Sequence, residues 1–326
     1  MRAVVTGGAG FIGSHLIEEL VRRDADVACV ERPGASRRWL EGLHVDWVEC
    51  GIQDEAALAR VFDGADVVFH LAGLTEARSA AEFHAVNTEG TEHVLRAAAR
   101  HNGRSPHVVL MSSIAAIGPC KNGDPLTPDT APCPLSPYGW SKLEAEILMH
   151  AFADRVSGTI VRLPSVYGPR EKGVLMFFRL VKRGIALGIG SWDREMSMIY
   201  VKDAVAGLLA IAERRPSGMR TYCLAHPEII SWRAFAAAVG QALQHQPVLV
   251  SLPAALARVV AVGAELAATV QGCAAVLNRG RVRELTQQRW VCDAGRAVHD
   301  LAFRPQFPIA RGVPATAAWY REAQWI

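Results

Sequence analysis

The sequence predicts an α/β protein, a Rossmann-type doubly wound parallel sheet with a smaller C-terminal substrate lobe, on three observations. Short β-branched runs alternate with amphipathic helical patterns through the first half of the chain. A glycine-rich turn, with Gly7, Gly10 and Gly13, closes the first of those runs. From about Pro164 the alternation loosens, and Gly184, Gly188, Gly190, Pro216, Pro227 and Pro305 punctuate shorter elements.

In chain order the strands are expected at Ala3–Thr6, Val27–Val30, Val45–Glu49, Val67–Leu71, Val108–Ser112 and Thr159–Leu163. Helices are expected at Ser14–Arg23, Glu55–Phe62, Ala80–Ala99 and Pro137–Phe152. Residues 1–163 then form the dinucleotide-binding domain, with a segment near 198–215 returning to it, and residues 164–326 form most of the substrate lobe. At 326 residues, 50% hydrophobic and 21% charged, the chain has material for one large core or two modest ones.

The glycines are a nucleotide grip because of where they fall. A strand, a tight turn and a helix start bring free N–H groups and the positive end of the helix dipole to one point, where a pyrophosphate can sit. Gly7 makes the turn, Gly10 admits the phosphates, and Gly13 lets helix approach strand. Glu31, directly after the second strand, is placed to bind the adenosine ribose hydroxyls and to repel a 2′-phosphate, which favours NAD. Arg32, Arg37 and Arg38 nearby can each meet a phosphate, so NADP stays open.

Ser136 and Pro137 are an N-cap and first-turn pair for the next helix, which puts Tyr138 and Lys142 one turn apart on one face. A tyrosine near pKa 10 is a poor base, but a neighbouring ammonium and an oxidised nicotinamide ring would both lower that value. The strand before it ends in Ser112 and Ser113, at the carboxyl edge where open α/β sheets bind ligands, and one of these hydroxyls is placed to meet a substrate oxygen.

Other function classes are disfavoured. The formal charge of +3 is small and no basic run stands out, so nucleic-acid binding has no support. Seven scattered cysteines without CxxC spacing read as reduced thiols, the histidines form no ligand pair, and no metal is expected. The eight tryptophans are dispersed and read as packing. The apolar stretch Leu252–Leu277 is broken by Pro253, Arg258, Glu265 and Gln271, so no membrane span is expected; a buried or pocket-lining helix is preferred to one lying on a membrane surface. A glycine loop at residue 7 leaves no room for a signal peptide upstream, which points to a cytoplasmic enzyme.

Together these residues resemble the extended short-chain dehydrogenase/reductase family, also called the NAD-dependent epimerase/dehydratase family. Thr6–Gly13 (TGGAGFIG) is similar to its TGGxGFIG loop, His70–Gly73 (HLAG) to its HLAA, and Asn87–Thr91 to its NxxGT helix. Ser113 stands at the place of its catalytic Ser/Thr, Tyr138-x-x-x-Lys142 matches its signature, Arg162–Pro169 resembles RxxNVYGP, and Ile199–Asp203 resembles IYVxD.

The resemblance implies a catalytic Ser113, Tyr138 and Lys142, with Lys142 also holding the nicotinamide ribose. It implies an NAD site drawn from Gly7, Gly10, Phe11, Ile12, Gly13, Glu31, Arg32, Ile52, Leu71, Ala72, Gly73, Asn87, Tyr138, Lys142, Pro164 and Val166. Thr75, Ile114 and Ser165 are expected to face a small-molecule substrate, and the helices at Ala80–Ala99 and Tyr138 to form a homodimer interface.

Departures narrow the activity. Ile114-Ala115 replaces the Asp-Glu pair of sugar-nucleotide dehydratases. Met196 replaces the arginine that meets a diphosphate, although Arg194 is close, and Ser165 replaces an asparagine. Gly51 replaces an aspartate that contacts adenine, leaving Ile52 to act through backbone and packing. The expectation is a dehydrogenase or ketoreductase acting on an apolar alcohol or ketone. The alternatives are a nucleotide-sugar epimerase that retains its NAD and a non-catalytic dinucleotide sensor.

Overall fold

The computed structural model describes residues 1–100 and 105–326. The first half builds β1 (Arg2–Thr6), α1 (Phe11–Arg22), β2 (Asp26–Glu31), β3 (Asp46–Glu49), α2 (Glu55–Phe62) and β4 (Val67–His70). The helical stretch that follows comprises α3 (Ala80–Phe83), a π-helical segment His84–Glu89 and α4 (Gly90–Ala99). β5 (His107–Ser113), α5 (Pro137–Ala151), β6 (Gly158–Leu163) and β7 (Ser165–Tyr167) come next.

Beyond them come α6 (Leu175–Lys182), β8 (Ile185–Ile189), β9 (Glu195–Tyr200), α7 (Val201–Arg214), β10 (Met219–Cys223), β11 (Ile229–Ser231) and α8 (Trp232–Leu243). The chain closes with β12 (Val248–Leu252), α9 (Ala254–Gln271), α10 (Arg279–Leu285), β13 (Arg289–Trp290), α11 (Gly295–Leu301) and α12 (Ile309–Glu322).

Seven strands form one parallel sheet in the order β10-β6-β5-β4-β1-β2-β3. The order reverses beside β1, so a crevice opens at its carboxyl end, where doubly wound sheets take ligands. Alternation along each strand feeds two cores. Ala3, Val5, Val109 and Met111 pack under α1, α7 and α11, whereas Val4, Val108 and Leu110 pack under α2, α4 and α5. The sequence-predicted strands and helices of this half all form, with ends shifted by at most three residues and the helix expected at Ala80–Ala99 interrupted by the π-helical turn.

The segment expected to return to the sheet divides. Its strand, β9, pairs with β7, β11 and β13 in a separate four-stranded sheet, while α7 packs back against α1. The strand that joins the main sheet lies later, as β10, parallel to β6. A third core, with Phe178, Phe235, Tyr200 and Tyr320, unites β9, α6, α8 and α12 in the C-terminal lobe.

The apolar stretch near residue 260 corrects the expectation of a buried helix. α9 buries only Ala257, Ala261 and Ala268, while Leu256 (49%), Val259 (68%), Leu266 (66%) and Val270 (88%) are exposed. Hydrophobicity marks such a segment as wanting to leave water, but the side facing the protein carries only methyl-sized groups.

Candidate active site

Gly7 follows Thr6 at the sheet's reversal point with φ +71°, its N–H donating to Val30 O at 3.1 Å. A Cβ there would lie 2.6 Å from the Ala72 nitrogen, so only glycine lets β1 turn this close to the end of β4. Gly10 begins α1 with no side-chain cap, its N–H donating to Gly7 O at 3.1 Å, and a Cβ on it would approach nothing but that carbonyl. The helix start therefore presents free N–H groups to an open face, a cradle of the size and charge preference a pyrophosphate requires. Phe11 stands edge-on to His15 and Ile12 packs half-buried against the core.

Glu31 closes β2 and accepts the Ala9 N–H at 2.8 Å, tying the loop to the second strand. Burial raises its carboxyl pKa, against the lowering effect of the Ala9 and Arg32 N–H groups. Of the nearby cations, Arg37 lies over Trp47 and pairs with Glu49 at 3.2 Å, and Arg38 lies over Trp39. Arg32 is exposed. Ile52 seats its Cδ1 against Gly90 of α4, consistent with a packing role.

Beside the loop runs a buried hydrogen-bonded chain. His70 Nδ1 lies 2.8 Å from Thr6 Oγ1 and Nε2 lies 3.1 Å from Thr91 Oγ1, which itself donates to Asn87 O at 2.6 Å. Because the Thr91 proton goes to Asn87, Nε2 carries the imidazole hydrogen and Nδ1 accepts from Thr6. Burial pushes the His70 pKa down to about 3, so this ring is neutral. Thr6 Oγ1 also accepts from the Ala72 N–H at 3.3 Å, fixing the Leu71–Gly73 turn.

Asn87, in the π-helical turn, accepts the Leu74 N–H at 2.7 Å and donates to Leu74 O at 3.0 Å and to Ser141 Oγ at 2.9 Å. It clamps the loop after β4 to α5. That loop leaves Gly73 and Thr75 exposed.

Ser136 caps α5 by accepting the Gly139 N–H at 3.0 Å. A Cβ on Gly139 would meet Ala115 O at 2.4 Å, so glycine here lets α5 reach the turn after β5. That approach brings Tyr138 close enough to Ser113 for the serine hydroxyl to act on its titration, while Ser113 Oγ accepts the Ala115 N–H at 3.1 Å. Phe83 packs on the tyrosine ring, with centroids 5.9 Å apart. Burial pushes the Tyr138 pKa up to about 12, against the lowering effect of Ser113, and Glu284 raises it further.

Lys142, one turn on, donates from Nζ to Met111 O at 3.1 Å and lies against Gly73 and Asn87. Burial lowers its pKa to about 8, with Glu146 opposing. The expected lowering of the tyrosine by this lysine is not what the protein alone displays. Burial moves both groups toward their neutral forms, and Lys142 is bonded to a main-chain carbonyl.

Below the pair, Glu146 bonds Arg162 at 2.7 Å, and Ser112 also donates to that carboxylate, so the first of the two strand-end serines is spent structurally. Pro164 is buried, Val166 half-buried and Ser165 exposed along β7, near the carboxyl edge of β6. Ile114 is buried among Ile117, Leu126, Cys223 and Cys292.

Sequence reasoning missed a contribution from the far end of the chain. α10 begins against Ser136 and Pro137, Glu284 accepts the Ser136 hydroxyl, and Arg281 bears on Tyr138 electrostatically. No motif marks these residues; only the tertiary fold brings them to the catalytic helix.

The fold and the loop define an α/β protein of the dinucleotide-binding class. Residues 3–224 match the model of the NAD dependent epimerase/dehydratase family, and the chain belongs to that family, whose cofactor is NAD. Ceramide reductase of Caulobacter vibrioides is 27% identical over 322 residues, 99% of this chain and 95% of that protein. An uncharacterised UDP-glucose epimerase of Bacillus subtilis is 32% identical over 234 residues, 65% of this chain and 72% of that one. Among solved structures, UDP-glucose 4-epimerase of Thermotoga maritima with UDP-glucose superposes with TM-score 0.82 at 22% identity, covering 99% of this chain and all of that one.

Proposed function

We propose that the chain is an NAD-dependent oxidoreductase that interconverts a secondary alcohol and a ketone on an apolar substrate. Bound NAD supplies the hydride exchange. Tyr138 gives its phenolic proton to the substrate oxygen in reduction and takes it back in oxidation, Ser113 orients that oxygen by hydrogen bonding, and the Lys142 ammonium favours the phenolate form. Asn87 holds the loop and helix that bring Tyr138 and Lys142 together. In the protein alone Tyr138 is a protonated acid, the form reduction consumes.

The observation that carries the apolar substrate is Met196, buried in the lobe core where a diphosphate-binding arginine would stand. Arg194 does not replace it: it is buried, and its Nε donates to Ser191 O at 2.7 Å. The nearly full-length similarity to a ceramide reductase supports the same reading. Ile114 and Ala115 are buried hydrocarbon and supply no acid–base pair for elimination. The second reading, a sugar-nucleotide epimerase with the same three residues, is favoured by the 32% identical relative. A homodimer through α4 and α5 is supported by Trp140 and Ile147, two turns apart on α5 and both more than half exposed.

The test is Tyr138→Phe with NAD binding followed by calorimetry. Binding should persist while turnover falls by about 10²–10⁴; unchanged turnover would sink the assignment. Stoichiometric consumption of reduced cofactor with a long-chain ketone supports the oxidoreductase reading, and epimerisation of a UDP-sugar without added cofactor replaces it.

A further inference from the structure

α9 divides into three faces at 100° per residue. Ala257 and Ala261 pack with Val282 of α10 and Leu252 of β12, and Ala268 is buried on the same side. Arg258, Glu265 and Thr269 form a polar strip, with Glu265 paired to Arg279 of α10 at 2.7 Å. Leu256, Val259, Val260, Leu266 and Val270 form the third face, from 46% to 88% exposed, and their spacing of three and four residues makes it continuous.

The helix is preceded by the parallel ribbon β8–β12, whose register sets Ile185 beside Val248 and Leu187 beside Val250, all four 41% exposed or more. Single exposed aliphatics are ordinary, but a patch of this extent is an interaction surface.

The charges around it name the partner. From Gln244 to the end of α10 the chain carries Arg258, Arg279, Arg281 and Arg283 against Glu265 and Glu284, a net +2. Lys182 and Arg183, both exposed, stand just before the ribbon. Arg258 on the helix and Lys182 and Arg183 at the start of the ribbon, all exposed, thus flank the apolar face with cations, the combination that binds an anionic lipid surface.

The helix has the composition of a membrane span, with mean hydropathy 1.4, but its 18 residues are short of the bilayer core, and the alanine face and the Glu265–Arg279 pair hold it flat on α10. We propose that α9 and the β8–β12 ribbon dock the protein on the surface of an anionic phospholipid bilayer. Docking there sets α10, and with it Glu284 and the start of the catalytic helix, next to the lipid phase, so that an apolar ketone reaches Tyr138 without crossing water.

Flotation of the full chain with phosphatidylcholine vesicles, with and without phosphatidylglycerol, tests this. The protein should float with the anionic vesicles, less so at high salt, and the triple variant Val259→Asp, Leu266→Asp, Val270→Asp should bind at least about tenfold more weakly while keeping its melting temperature. Arg258→Glu should reduce the preference for phosphatidylglycerol. No flotation of the unaltered chain overturns the proposal, as does a dimer that the triple variant converts to monomer without any flotation, since a second copy would then cover the face. Turnover of a short-chain, water-dispersed ketone, measured on the same samples, should be equal in all variants. Its absence alongside intact flotation removes the oxidoreductase reading and leaves the docking surface standing.

Discussion

Burial governs the titration of the candidate catalytic groups. Tyr138 is held protonated far above neutrality, whereas Lys142 begins to lose its proton at about 8. If reduction needs the phenol proton and the ammonium together, kcat/KM for ketone reduction stays level below about pH 8 and then falls up to tenfold per unit, because the lysine neutralises while the tyrosine is unchanged. A profile that rises steadily from neutrality to pH 10 would contradict the role given to Lys142.

At the other end of the cofactor site, Glu31 has the Ala9 N–H as its partner and faces no cation within bonding distance among Arg37 and Arg38, which are engaged with Glu49, Trp47 and Trp39. Glu31→Ser should weaken NAD binding about tenfold and shift preference toward NADP, roughly 1.4 kcal/mol in each direction, measurable by titration with both dinucleotides.

At the scale of elements, α5 is positioned from two sides. Gly139 lets it touch the turn after β5, and Ser136, its cap, is gripped by Glu284 of α10. Gly139→Ala should lower turnover far more than it lowers the melting temperature, because the added methyl pushes Tyr138 off Ser113 while most of the helix stays packed. Ser136→Ala should cost about 1 kcal/mol for the cap, and about 1 kcal/mol more because the half-buried Glu284 carboxyl loses its donor; denaturant midpoints would show it.

The loop Thr6–Gly13 and the Tyr138–Lys142 pair were legible in the sequence because their geometry is local: one turn of strand to helix, and one turn of helix. The clamp made by Asn87 was legible only as a motif, since a π-helical turn within a continuous helical pattern has no periodic signature. Glu284 and Arg281 were not legible, because they reach α5 across more than a hundred residues of chain. The outward face of α9 was not legible for another reason: hydropathy reports how much a helix avoids water, and which side meets the protein depends on whether neighbours have room for more than alanine.

For the whole molecule, three histidines largely withdrawn from solvent set the response to acid. His70 lies in the hydrogen-bonded chain beside the glycine loop, His107 bridges Ser157 and Thr159 at 2.9 Å each, and His15 contacts Pro169 O at 3.0 Å. Burial lowers all three from 6.5, to about 3 for His70 and about 4 for His15 and His107. The unfolded chain therefore binds these protons first, and stability falls as pH drops below 6.5 until each folded ring protonates. With about 1.4 kcal/mol per proton per unit, the ceiling is roughly 4 kcal/mol per pH unit, a large part of a typical 5–15 kcal/mol.

Carboxyls raised by burial, Glu31, Asp203 and Glu284, oppose this, since the folded chain takes up their protons first. Glu19, held down to about 2 by Arg22, loses its contribution only below 4.5. The window between pH 6.5 and 4.5 therefore reports the histidines against the raised carboxyls. Urea midpoints across it should fall with acidity, and His107→Gln should remove about one histidine's share, close to 1.4 kcal/mol per unit, from the slope. An identical slope in the variant would mean that His107 takes up its proton in the folded protein as readily as in the unfolded chain.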